Sequence, residues 1–136
     1  MLSITSQFAP RSDIGRFAKV VMTPRAIAAV QESCELIQKT AQGYCPVDTG
    51  DLQASITIDP PVEGDASVTG SVAPHESYAS YQEYGTGMRG DPTAPYPHVM
   101  TWPGIPAHPF MRPALDESRG QVKEIFLRQL GGPWNA

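Results

Sequence analysis

Apolar side chains recur at alternating steps of three and four from Ile27 through Val30, Cys34, Ile37 and Ala41. That period lines them along one face of an α-helix and predicts an amphipathic helix over residues 23–43. Thr23 is placed to cap its start, Pro24 suits the first helical position, and Gly43 stops the pattern. Glu35 and Lys39 have the spacing and order of a favourable pair on the wet face. Cys34 falls in the apolar stripe, where it reads as a small core residue and not as a nucleophile. A second stripe, Leu115, Val122, Ile125, Phe126 and Leu130, predicts a C-terminal helix over 111–131. Asp116 and Glu117 are expected in its first turn, where the helix dipole favours acid, and Gly131-Gly132-Pro133 ends it.

Between the helices the period changes to two. Ser55-Ile56-Thr57-Ile58 and Ala66 to Ala73 alternate apolar or small residues with polar ones, so residues 52–73 are expected to hold two antiparallel strands. Asp59 to Asp65, with Pro60, Pro61 and Gly64, reads as the turn between them. Two strands alone are marginal, so a third is expected, placed within His98 to Trp102. Residues 1–22 read as an N-terminal arm or short helix able to dock through Ile14, Phe17, Val20 and Val21. Tyr78, Tyr81 and Tyr84, three apart, suit one face of a short helix. The fold class is α+β: a small antiparallel sheet packed on a long helix in the N-terminal half and on a C-terminal helix, in one domain over 1–136.

Composition adds one departure from an ordinary globular chain. Fourteen prolines in 136 residues is about twice the usual ~5%. Four of them, with four glycines, fall in the excursion from Gly85 to Gly104. Loops of that length in a small domain are uncommon and usually functional. Met88, Tyr96, Val99, Met100 and Trp102 give this one apolar area, so it is the candidate interface, expected to gain structure only against a neighbour. The net charge of −4 argues against a protein that grips nucleic acid by neutralising phosphates. Ten of the fourteen acids lie between residues 31 and 91. No run of ~18 to 20 apolar residues suggests a membrane span, and no secretory signal is evident, so the cytoplasm is the expected compartment and Cys34 and Cys45 are expected to be reduced thiols.

The chemistry of catalysis is not visible. His75, His98 and His108 sit in no recognisable motif, and no nucleophile elbow, phosphate loop or dinucleotide turn is present. No cysteine pair or helical histidine pair has metal-ligand spacing, and Asp48 and Asp51 lack the further oxygen ligands of a calcium loop. Neither catalytic residues nor a metal site nor a cofactor is therefore expected. Instead Asp48 or Thr49 is expected to accept from the backbone amides that follow, with Gly50 supplying a conformation costly for other residues. Phe110, bracketed by Pro109 and Pro113, is expected to be a buried anchor, with Arg112 reaching a carboxylate such as Glu83. Arg89-Gly90-Asp91 matches an adhesion tripeptide and reads as a chance match.

Three segments in order carry a resemblance. The first runs from Cys45 through Pro46, Val47, Asp48, Thr49, Gly50 and Leu52 to Ser55 and Ile56. The second is Tyr78-Ala79, Tyr81, Glu83 and Gly85-Thr86; the third is Pro109-Phe110, Arg112, Pro113 and Ala114. Together they resemble the tail-component family of tailed bacteriophages typified by the gene-ten product of a lambdoid siphophage. Cys45 stands where that family has Ala, and Tyr84 where it has Phe. The resemblance implies a non-catalytic virion protein at the head-tail junction or upper tail, a tail-completion or connector component. It implies a homo-oligomeric ring, hexameric or dodecameric, in contact with connector, tail-terminator or tail-tube proteins, through which DNA passes without specific binding. The mild acidity is compatible with such a passage. A small cytoplasmic binding or regulatory module is the alternative reading, with a small hydrolase behind it.

Overall fold

The computed structural model describes residues 2–7, 22–65 and 67–131. Its elements are β1 (Leu2–Gln7), α1 (Thr23–Tyr44), α2 (Asp51–Ser55), β2 (Thr57–Glu63), β3 (Ser67–Ala73), α3 (Ala79–Tyr84), a 3-10 turn (Gly87–Arg89) and α4 (Met111–Leu130). The α+β expectation holds. The strands form one antiparallel sheet in the order β1-β3-β2.

α1 lies between two layers, packing on all three strands on one side and along α4 on the other. Its buried positions explain how it serves both. Ala26, Ala29, Ser33, Cys34 and Ala41 are small and let neighbouring backbones approach, while Val30 and Ile37 fill the space between. Opposite them, Gly70 of β3 sits so close that an added Cβ would overlap Val30 and Cys34. Val68 and Val72 of β3, Leu52, Ile56, Phe110 and Ala114 complete this core. Each large side chain buried there contributes about 1.5 to 3 kcal/mol. Along α4, Ile125 is buried and Leu115, Val122, Phe126 and Leu130 pack partly buried against the core. Because α4 starts at Met111, its first turn holds no acid, and Asp116 and Glu117 fall beyond the turn expected to hold them.

The third strand is β1, not the segment within His98 to Trp102, which forms turns. Leu2 pairs with Val72 and Gln7 with Ser67, so part of the expected N-terminal arm is sheet. Ile14, Phe17, Val20 and Val21, the expected docking residues, lie outside the described residues. Residues 52–55 are helical, so the first strand starts later than expected, at Thr57. It then runs on through Pro60 and Pro61, where the expectation had a turn. An edge strand tolerates prolines because one row of its amides has no ladder partner, and the register slips between Asp59 and Val62.

Two local expectations for α1 are corrected. Met22 occupies the cap position and Thr23 is the first helical residue, without a side-chain cap. Glu35 accepts from Gln31, 3.0 Å away, and makes no ion pair with Lys39 among the described residues.

Candidate functional site

α3 is short, but it carries the residue that organises the far end of the molecule. Glu83 is 6% exposed. Its Oε2 accepts from the backbone amides of Phe110 and Met111 at 2.8 and 3.0 Å, and its Oε1 accepts from the Arg112 amide and Arg112 Nε, both at 3.0 Å. These amides are the first, otherwise unpaired donors of α4, whose own residues supply no side-chain cap. A carboxylate from 27 residues upstream therefore caps the helix and meets the positive end of its dipole. Phe110 is fully buried, as expected, and the expected Arg112–Glu83 contact is present.

Arg112 extends the arrangement into the excursion. Nη2 donates to the Glu83 carbonyl at 3.1 Å, Nη1 reaches Asp91 Oδ2 at 2.9 Å, and the guanidinium lies 4.4 Å from the centre of the Tyr84 ring. Asp91 also accepts from the Thr93 hydroxyl and amide at 2.6 and 2.8 Å. These hydrogen bonds, with Arg112 beside them, hold its carboxyl down at about 2. Asp91 is thus engaged inside the chain, which removes any basis for reading Arg89-Gly90-Asp91 as a presented tripeptide.

The excursion forms structure within a single chain, contrary to the expectation that it needs a neighbour. Thr86 and Met88 donate to the carbonyls of Ile105 and Trp102, Arg89 donates to Pro103, and Asp91 to Tyr84. Its two limbs lie so close that Gly85, Gly87 and Gly104, all at positive φ, leave no room for a Cβ. The Tyr96 hydroxyl shares its proton between the carbonyls of Gly85 and Ser80, at 2.6 and 3.0 Å. His98 Nε2 sits 2.8 Å from the Asp91 carbonyl, which can only accept, so Nε2 carries the proton.

What remains outward is an apolar groove of about 570 Å³, lined by Tyr78, Tyr81, Tyr96, Val99, Trp102 and Ile105 among others. Of the five expected interface residues, Met88, Val99, Met100 and Trp102 are each more than half exposed. Tyr96 is the exception: its ring is edge-on to Tyr81 and its hydroxyl is bonded, so it pins the loop. Tyr78 and Tyr81 were legible only as a helix face; their place on the groove depends on the excursion folding back over α3.

The first motif is structural in detail. Leu52 and Ile56 are buried, the Ser55 hydroxyl donates to the Leu52 carbonyl and accepts the His75 amide, and Gly50 has φ +88. Pro46, Val47, Asp48 and Thr49 are exposed. Thr49 accepts weakly from the Asp51 amide at 3.4 Å, while Asp48 makes no hydrogen bond among the described residues, so the cap expected of it is absent. A hollow of about 280 Å³ separates this turn from Tyr78 and Gln82 of the second motif. In the third motif Pro109 is exposed, Pro113 half-buried and Ala114 buried.

No group of three His, Cys, Asp or Glu side chains able to hold a metal occurs among the described residues. Burial, with Glu35 nearby, pushes the Cys34 thiol up to about 11, and burial raises Cys45 as well. Both are free and neither is poised as a thiolate.

The family model described as "Bacteriophage HK97-gp10, putative tail-component" matches residues 9–85. The chain belongs to the HK97-gp10-like family. The match takes in the first motif and the second as far as Gly85, so the excursion from Thr86 onward and the Glu83-capped start of α4 lie beyond it. No curated protein and no solved structure matches the chain. A structural role in a phage tail follows from the family, and with it contact with other phage structural proteins. No helix among the described residues is long and apolar enough to cross a membrane.

Proposed function

We propose that this HK97-gp10-like chain is a ring-forming tail-completion or connector component at the head-tail junction or upper tail, hexameric or dodecameric and without catalysis. Its excursion over 85–104 is the main contact element toward subunits or the neighbouring connector, terminator or tube proteins. The observation that carries this reading is the set of exposed Met88, Val99, Met100 and Trp102 side chains on a segment anchored to the core by the Glu83–Arg112–Asp91 bridge. A protein whose apolar side chains are held outward on a braced loop has area to bury on a partner. The surplus of acid suits a ring through which DNA moves without being retained.

The test is a Met88→Ser, Val99→Ser, Met100→Ser, Trp102→Ser variant, which spares every pinning residue. Heads and tails that accumulate unjoined, with unchanged thermal unfolding of the purified subunit, are expected. Infectious particles at wild-type yield would overturn the assignment of the contact element. Electron microscopy of intact particles reads the copy number and the position of the ring directly.

A further inference from the structure

The groove has a chemical counterpart elsewhere on the same chain. Tyr78, Tyr81, Tyr96 and Trp102 give it aromatic walls, and Arg89, exposed and without an ion pair among the described residues, follows two residues after Gly87 of its lining. Aromatic-lined grooves take proline-rich extended segments, which arrive with little backbone freedom left to lose. Edge strand β2 offers such a segment, Asp59-Pro60-Pro61-Val62-Glu63, in which Val62 is 66% exposed and Asp59, Pro60 and Glu63 are exposed. Its acids complement Arg89.

The two surfaces cannot meet within one chain. Ala73, the end of β3 that leads to α3 and the groove, pairs with Thr57 at the start of β2. Val62 pairs with Thr69, toward the other end of the sheet. At ~3.3 Å per residue, five strand positions separate Thr57 from Val62 by about 16 Å. A contact between two different patches at opposite ends of a subunit is heterologous, the kind of contact that builds a ring when the rotation between neighbours closes and a filament when it does not.

We infer that the aromatic groove of one subunit receives the Asp59–Glu63 edge of a second copy, with Arg89 facing the carboxylates of that edge. This rests on the ring reading above and names the surface that would make the ring. The same prolines that stop β2 from adding another strand make it an inserted ridge, so subunits join side chain to groove and not by continuing the sheet.

The test is charge reversal with rescue on the full chain, read by analytical ultracentrifugation. Arg89→Glu alone and Glu63→Arg alone should each weaken self-association by about tenfold, the worth of one well-placed interfacial charge pair. The doubly reversed chain should return to near wild-type association. Independently, Val62→Cys and Tyr81→Cys chains, oxidised together, should give a disulfide-linked dimer that neither gives alone. Assembly that persists unchanged in the single reversals, or Val62→Cys chains that crosslink to one another, overturns this contact while leaving the ring reading intact. Chains that remain monomeric at all concentrations, alone and in the presence of phage heads, overturn both.

Discussion

Between α1 and the layers on either side of it, contact is spread over many small apolar residues, whereas the excursion is joined to the core through a few side chains: Glu83, Arg112, Asp91 and Tyr96. The first kind of contact is built on surface area and tolerates loss at any one position in proportion to the area lost. The second is built on donors and acceptors in fixed geometry, so the loss of one group strands several others. The family match takes in α1, β2 and β3 of the first region and Glu83 of the second.

Phe110 stands on the border between the two, apolar and fully buried yet placed where the excursion becomes α4. Phe110→Ala should therefore give the largest loss, about 3 to 5 kcal/mol, read from the denaturant midpoint. A smaller cost would mean that the neighbouring segments collapse into the space. Glu83→Ala comes next, at about 2 to 3 kcal/mol, below the cost of breaking a fully buried pair because Arg112 is partly exposed. Glu83→Gln should recover little of it. The amide keeps the shape but turns an NH2 group toward amides that themselves donate. If Glu83→Gln unfolds like wild type, the cap is not what fixes α4.

The same division governs what could be read from the sequence. α1 and α4 were legible nearly to the residue because a 3.6-residue period survives any tertiary context that buries one face. β1 escaped notice although Leu2 and Ile4 alternate with Ser3 and Thr5, since six residues without a turn signal are too few to stand out. Pro60 and Pro61 imitated a turn because proline is rare in strands, and only sheet order shows that β2 is an edge. Around the site, the brackets Pro109 and Pro113 made Phe110 and Arg112 legible, and Glu83 as a partner. Its three amide bonds were not, because an acid 27 residues away leaves no local pattern. The groove was invisible for the same reason: Tyr81, Tyr96 and Trp102 meet only through the fold.

Acid should separate the two regions without a mutation. Asp91 titrates lower in the folded chain than the ordinary Asp near ~3.9, so its contribution is present above about pH 4 and is lost as pH falls toward about 2. Trp102 fluorescence in a Trp134→Phe background should shift across that window before helical circular dichroism declines. Asp91→Asn should remove that shift. Simultaneous loss of both signals would show that excursion and core unfold as one unit.

The smallest effect is expected where the sequence pointed most plainly, at Asp48-Thr49-Gly50. Asp48 is exposed and its carboxylate bonds to no described residue, so Asp48→Ala should change stability by no more than about 0.5 kcal/mol. Gly50 has open space around it but holds φ at +88, so Gly50→Ala should cost about 1 to 2 kcal/mol through the backbone alone. Measured side by side by thermal unfolding, the pair asks whether this motif acts through its carboxylate or through its chain path. The structure favours the path, because Gly50 turns the chain into α2 and so delivers Leu52 and Ile56 to the core. A stable Asp48→Ala subunit that fails to assemble would move Asp48 out of the fold's account altogether. The hollow it shares with Tyr78 and Gln82 would then be a second contact, on the scaffold and not on the excursion.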